Sequence, residues 1–279
     1  MSERIAFQGE PGANSHLAAH AAFPEMTPLP CLTFEDAFAA VREGQARYAM
    51  IPIENSLAGR VADVHHLIPE SGLFIIGERF EPIRHQLMAV KGASLEGLRK
   101  VRSHPQALGQ CRKFLRERGL TAVQTLDTAG AAREVAELGD ATVGALASTL
   151  AAEIYGLDIL KGDVADAAHN TTRFLVFARE PKHPPASDGP CMMSFVFRVR
   201  NVPAALYKAL GGFATNGVNM TKLESYLEGG SFEAAMFFAE IEGHPDMRSV
   251  ELALEELGFF SSFLKVLGVY PAAGFRRKK

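Results

Sequence analysis

The sequence predicts an α/β domain followed, after a short linker, by a smaller α+β domain of ferredoxin-like order. Three observations carry that prediction. Strand-like and helix-like patterns alternate from residue 3 to about residue 178, the signature of an α/β layer structure with a mostly parallel sheet. The stretch REPKHPPASDGP at 179–190 holds prolines, a glycine and polar residues without an apolar period, which marks a linker. Beyond it, over about 80 residues, the patterns run βαββαβ, a ferredoxin-like order.

The elements follow one by one. Ile5, Ala6 and Phe7 make a short apolar strand that ends in the turn Gly9-Glu10-Pro11-Gly12, and a helix starts near Asn14 or Ser15, either of which can cap free backbone N–H groups. Thr33 with Asp36 has the form of a capping box. Phe34, Ala37, Phe38 and Val41 then fall at i, i+3, i+4 and i+7 before Gly44 stops the helix. Further strands are predicted at 72–77, 86–90, 100–103, 121–125, 141–146 and 172–178, with helices at 105–118, 128–138 and 147–155.

After the linker the strands fall at 192–199, 219–226, 233–241 and 260–270. The helix at 203–213 carries the repeat Val202, Leu206, Ala209, Phe213. The helix at 246–257 carries Met247, Val250, Leu254, Leu257, with Asp246 as its cap and Gly258 as its stop.

Composition narrows the function. With 279 residues, 47% hydrophobic and 22% charged, the chain reads as an ordinary globular protein able to bury a core. A formal net charge of −3 gives no global field to recruit nucleic acid or an anionic membrane, so an anionic ligand must be drawn by local arginines. Cys31, Cys111 and Cys191 are odd in number and widely spaced, without CxxC pairing, so no disulfide framework, zinc site or other metal site is expected, and a reducing cytoplasm fits. MSERIAFQGE lacks an apolar signal core, and no stretch approaches the roughly 18 apolar residues of a membrane span. The basic end, 275–279, reads as a solvated terminus.

Four polar clusters sit where strands end or helices begin, the places where α/β sheets collect ligands. The turn Gly9 to Ser15 can cradle an anion with backbone N–H groups, or be a plain turn. Glu54, Asn55 and Ser56 follow an apolar strand and precede Gly59, offering donors and acceptors or an ordinary helix cap. Ser103, His104 and Gln106 open a helix, with His104 a cap more readily than a catalyst. In HNTTRFLVFA, at 169–178, Arg173 beside Thr172 can grip a carboxylate through its fork of donors or sit in a structural ion pair. Walker loops, dinucleotide fingerprints, metal spacings and Ser-His-Asp orders are missing, and no cofactor is expected.

Together PIENSLAG at 52–59, SHPQAL at 103–108, DTAGAA at 127–132, STLAAEIYGLDIL at 148–160, NTTRF at 170–174 and the C-terminal βαββαβ unit resemble prephenate dehydratase, in the form with a catalytic domain followed by a regulatory ACT domain. The resemblance spans about residues 5 to 270. It implies a lyase that turns prephenate into phenylpyruvate, water and carbon dioxide on the way to phenylalanine. It also implies a two-lobed fold like the type II periplasmic binding proteins, with residues 1–78 and 162–180 in one lobe, 79–161 in the other, and the ACT domain at 191–272.

By the same register Thr172, Arg173 and Phe174 are the implied catalytic residues, and Glu54, Asn55, Ser56, Ser103, Gln106 and Asn170 the implied substrate contacts. Thr172 is expected to hydrogen-bond or protonate the leaving hydroxyl, and Arg173 to hold a carboxylate. Ala205, Leu206, Asn219, Met220, Thr221, Glu224 and Ser225 are the implied binding residues for L-phenylalanine, an allosteric ligand taken between paired domains of a homodimer or homotetramer. Two departures bear on regulation: Ala204 stands where the family has glycine, and Tyr226-Leu227 where it has Arg-Pro. Arogenate is an alternative substrate, and a non-catalytic amino-acid sensor is an alternative of another class.

Overall fold

A computed structural model describes residues 3–200, 202–227 and 234–278. Glu233, the predicted start of a strand, and Lys279 lie outside the described residues. The chain divides into two compact units, Met1–Val64 with Arg79–Phe174, and His65–Glu78 with Leu175–Lys279.

Between Arg4 and Ala178 the chain forms two sheets rather than one. The first sheet runs in the order Thr27–Cys31, Arg4–Gln8, Tyr48–Asn55, Thr171–Ala178, Phe74–Pro82, and Gly59–Arg60 folds back antiparallel onto the end of Tyr48–Asn55. Arg4–Gln8 is parallel to both of its neighbours. The second sheet has the order Asp158–Lys161, Gln86–Ala89, Val143–Ala147, Lys100–Ser103, Thr121–Gln124. It is mixed: Lys100–Ser103 is parallel to both neighbours, whereas Gln86–Ala89 is antiparallel to both of its own. The expectation of a mostly parallel sheet fails at Gln86–Ala89, which runs against both neighbours; Val143–Ala147 and Asp158–Lys161, on either side of it, run in one direction and are joined through the helix Thr149–Tyr155.

Local signals explain most helix boundaries. Thr33 and Asp36 form the capping box, with both reciprocal bonds present. The first helix, Asn14–Ala22, is not capped by Asn14 or Ser15; its N-cap is Ala13, and the Gly12 N–H donates instead to His16 Nδ1 at 3.0 Å. The helix predicted over 105–118 is two, Pro105–Gln110 and Arg112–Glu117, broken at Cys111. The break is fixed from a distance, because the Asp166 carboxylate accepts the Lys113 and Phe114 N–H groups and caps the second piece.

In the C-terminal unit the order is Cys191–Val199, Ala205–Thr215, Met220–Leu227, Ala234–Glu242, Arg248–Phe260, Ser261–Pro271. The strands form one antiparallel sheet in the order Met220–Leu227, Ala234–Glu242, Cys191–Val199, Ser261–Pro271. Alternate residues Met193, Phe195 and Phe197 face a core shared with Phe213, Phe237, Val250 and Leu257. Asp246 is not the cap of the last helix and Gly258 does not stop it. Met247 holds the cap position, and the helix runs to Phe260, which packs on the core and so carries the chain past the glycine. Ala204 sits at φ 62°, ψ 14°, a left-handed conformation that favours glycine. The basic end is not simply solvated: Arg276 Nε and Nη2 bond both Glu78 carboxylate oxygens at 2.7 and 2.9 Å.

Candidate active site

Within the first unit a cavity of about 420 Å³ opens among strand ends, helix starts and the connecting loops. Its polar lining is contributed by both sheets. Asn55 ends a strand of the first sheet, Thr172 lies near the start of another, and Gln106 and Gln110 belong to the helix that leaves Lys100–Ser103 of the second. The helices Asn14–Ala22 and Thr128–Leu138 begin on its wall, and the positive ends of their dipoles favour an anion there.

The strand Thr171–Ala178 decides which predicted residues meet. Its period of two sends neighbours to opposite faces. Thr172 and Phe174 line the cavity, and Arg173 does not. Arg173 is 2% exposed, with Nη1 2.9 Å from Glu54 Oε1 and its guanidinium over the Phe80 ring. The structure therefore brings Thr172, Phe174, Asn55, Gln106 and Asn170 together at the cavity, and leaves Arg173, Glu54, Ser56 and Ser103 off its wall. Ser56 Oγ donates to the His169 carbonyl and accepts the Thr171 N–H, tying two loops; Ser103 Oγ, fully buried, donates to the Leu146 carbonyl.

A chain of amides runs through the site. Asn55 Oδ1 accepts the N–H groups of Leu57 and Ala58 at 3.0 and 2.9 Å, which fixes which end of this amide is oxygen. Asn55 Nδ2 then donates to Asn170 Oδ1 at 2.7 Å and to Thr172 Oγ1 at 3.0 Å. Asn170 Nδ2 donates in turn to Gln110 Oε1 at 2.9 Å, and His85 Nε2 lies 2.7 Å from the same oxygen. Because Thr172 Oγ1 accepts from Asn55, its own proton is left to donate, and no acceptor for it exists among the described residues.

Charge around the cavity is sparse. Arg60 is its one Arg or Lys among the described residues, and Asp127 its one carboxylate, engaged as the cap of Thr128–Leu138 through the Gly130 N–H at 2.7 Å. His104 caps Pro105–Gln110 by accepting the Gln106 N–H. Burial holds His85 below the ordinary histidine range, opposed by its bond to Gln110. The glycine turn offers little to an anion: the N–H groups of Gly9, Gly12 and Ala13 are taken by Cys31, His16 and Glu10. It serves contact instead, since a Cβ on Gly12 would lie 2.7 Å from Ala151 Cα.

Sequence reasoning did not single out Gln110 or His85. Gln110 ends the stretch that begins with SHPQAL, but its partners His85 and Asn170 are 25 and 60 residues away, and no spacing rule joins them. The implied phenylalanine contacts lie in the C-terminal unit: Ala205 is buried at the start of its helix, Leu206 packs on the core beside it, and Met220, Thr221, Glu224 and Ser225 lie along an edge strand that Asn219 precedes. Tyr226, nearly buried, has its hydroxyl 3.3 Å from His65 Nδ1. Among the described residues no helix is long and apolar enough to cross a membrane, and no group of three His, Cys, Asp or Glu side chains is placed to hold a metal.

Comparison with known proteins agrees with this architecture. The sequence profile of the family described as prephenate dehydratase matches residues 5–182. The bifunctional N-acyl-homoserine lactone acylase/prephenate dehydratase of Komagataeibacter europaeus is 52% identical over 274 residues, covering 98% of both chains. Arogenate dehydratase/prephenate dehydratase 1 of Arabidopsis thaliana is 40% identical, covering 96% of this chain and 72% of the relative. The crystal structure of prephenate dehydratase from Arthrobacter aurescens in complex with L-Phe superposes with a TM-score of 0.88 at 30% identity, covering 97% of this chain and 90% of that one.

Proposed function

We propose, from the premise that this chain belongs to the prephenate dehydratase family, that its dehydration of prephenate turns on a proton donated by the Thr172 hydroxyl. The chain is a lyase of aromatic amino acid biosynthesis, converting prephenate to phenylpyruvate. In that reaction the bond to the ring carboxylate breaks and carbon dioxide leaves. Its electron pair enters the ring, and the hydroxyl para to it departs. The ring becomes aromatic, which supplies the driving force.

The dianion must gain one proton to release water, and the direction of the Thr172 hydroxyl supports Thr172 as the group that delivers it. The observation that carries the reading is the bond from Asn55 Nδ2 to Thr172 Oγ1, which makes the oxygen an acceptor inside the protein and its proton a donor toward the cavity. Solvent then restores the proton. A positioned acid of this kind is worth about 10²–10⁴ in rate. Arg173 takes a positioning role: its ion pair with Glu54 supports a fixed spacing between the strands that carry Thr172 and Asn55.

The same bond separates this reading from the other activity in the K. europaeus relative's name. Amide hydrolysis needs a base to strip a nucleophile's proton, whereas an amide donor leaves Thr172 holding its own. Arogenate is the second reading, favoured by the 40% identity to a relative named for both substrates. Against it, the ammonium of arogenate would meet a cavity whose one carboxylate among the described residues is already bound as a helix cap.

L-Phenylalanine feedback through a C-terminal ACT domain, at Ala205, Leu206, Asn219, Met220, Thr221, Glu224 and Ser225, is supported by the L-Phe complex of the A. aurescens protein. A homodimer or homotetramer is supported by the position of Met220–Leu227 at the end of its sheet's strand order, where a second copy can extend the sheet. A cytoplasmic location is supported by three free cysteines. The test is product analysis: the purified protein is incubated separately with prephenate and with arogenate. Phenylpyruvate from prephenate, at a kcat/KM well above that for arogenate, is expected; no product from either would overturn the reading.

A further inference from the structure

Building on that dehydratase reading, we propose that Ser15, at the uncapped start of the helix Asn14–Ala22, is a further substrate-binding residue. Its hydroxyl and the backbone N–H groups beside it hold the carboxylate of the pyruvyl side chain, the one that survives into the product. The turn before this helix spends its own donors inside the protein, on Cys31, His16 and Glu10. One residue later that changes.

The helix is nine residues long, and its N-cap is Ala13, whose methyl accepts nothing. The Leu17 N–H donates to the Ala13 carbonyl at 3.0 Å, whereas the N–H groups of Asn14, Ser15 and His16 find no acceptor among the described residues. A helix start always leaves such groups over, for a side chain, water or a ligand to meet. Asn14 and Ser15 line the cavity, so these donors and the positive end of the helix dipole stand at its wall.

Ser15 adds an independent sign. It is 7% exposed, yet its hydroxyl has no hydrogen-bond partner among the described residues. A serine this deep ordinarily turns its hydroxyl to a protein acceptor, as Ser103 does to the Leu146 carbonyl and Ser148 to the Gly12 carbonyl. Among the described residues the one side-chain polar atom sealed off without a partner is Ser261 Oγ, so Ser15 Oγ opens on the space its residue lines. The position of the helix start is fixed from the second sheet's side. Ser148 Oγ donates to the Gly12 carbonyl at 2.6 Å and the Tyr155 hydroxyl to the Pro11 carbonyl at 2.9 Å, gripping the turn on two consecutive residues.

The chemistry selects which carboxylate belongs there. Both acidic groups of prephenate branch from the ring carbon opposite the hydroxyl, so both lie away from Thr172. The ring carboxylate loses its charge as carbon dioxide, and a strong grip on it would stabilise the substrate more than the transition state. The pyruvyl carboxylate keeps its charge throughout, so fixed donors hold substrate, transition state and product alike. A hydroxyl backed by a helix start suits that constant anion.

Steady-state kinetics on the full chain, with prephenate as substrate and phenylpyruvate as product inhibitor, test the assignment. Ser15→Ala removes one donor and, alanine being the better helix former, keeps the fold. KM should rise about ten-fold with kcat changed by less than about two-fold. The inhibition constant of phenylpyruvate should rise by the same factor, because the product carries the same carboxylate. Ser15→Asp places a negative charge where the helix dipole favours it, so melting temperature should hold or rise while repulsion lifts KM at least about 100-fold. A purely structural role would move KM and melting temperature together. A KM for Ser15→Ala within about two-fold of wild type would overturn the proposal, whether or not Ser15→Asp folds. A raised KM with unchanged phenylpyruvate inhibition would overturn it too, by moving the contact to the ring carboxylate. A wild-type chain that forms no phenylpyruvate would instead sink the dehydratase reading itself.

Discussion

Two buried polar networks in this molecule are built on opposite plans. In the first unit, neutral amides run from Asn55 through Asn170 to Gln110, and the chain opens on a cavity at both ends, at the Thr172 hydroxyl and at Gln110 Nε2. In the C-terminal unit, Ser194, Glu240 and Tyr270 are fully buried and bonded to one another at 2.8 to 3.3 Å. Arg276 stands 3.9 Å from Glu240 and pairs with Glu78, whose carboxylate also accepts the Ala273 N–H. The first network is directional and leaves donors to spend on a ligand. The second gathers charge and countercharge inward and holds the C-terminal segment in place. A polar network that ends at a cavity is the one to read for chemistry.

That contrast can be broken at either end. The largest effect is expected at Thr172: Thr172→Ala should lower kcat by about 10²–10⁴ while KM for prephenate changes little, measured by phenylpyruvate formation. The same variant should leave stability nearly unchanged. Arg276→Ala should do the reverse, costing about 3 kcal/mol in denaturant unfolding because it strips countercharge from the buried Glu78, while leaving the chemical step alone. Comparable losses of kcat in both variants would erase the distinction drawn above.

Smaller effects sharpen it. Ala204→Gly should stabilise the C-terminal unit by about 0.5–1 kcal/mol in thermal or denaturant unfolding, since the left-handed backbone there costs a residue with a Cβ more than it costs glycine. The weakest expected effect is in pH. Burial lowers the folded pKa of His85 and His16, so below about 6.5 the unfolded chain takes up protons that the folded chain does not, and stability falls as pH drops through that window toward the lowered folded values. Melting temperature against pH should therefore slope downward on the acid side, and His85→Gln should flatten the slope.

How much of this was legible in the sequence depends on how local each determinant is. The Thr33–Asp36 capping box was readable because both partners lie within one helical turn. The break at Cys111 was not, because the carboxylate that imposes it, Asp166, arrives from 53 residues further on. The site divides the same way. NTTRF announced Thr172 as a polar group at the mouth of an apolar strand, and the alternation of strand faces already forbade Thr172 and Arg173 from sharing one wall. The fixed direction of the Asn55 amide, by contrast, rests on a turn and on partners 115 and 117 residues away, and only the folded chain reveals it.

The central claim, that Asn55 makes Thr172 a donor, is tested most directly by Asn55→Asp. That change nearly preserves shape and keeps an oxygen for the Leu57 and Ala58 N–H groups, but replaces the donor to Thr172 with an acceptor that draws the threonine proton away from the substrate. Steady-state turnover of prephenate by this variant should show kcat lowered about 100-fold with the fold intact by circular dichroism. A correctly folded Asn55→Asp protein with kcat close to wild type would contradict the account.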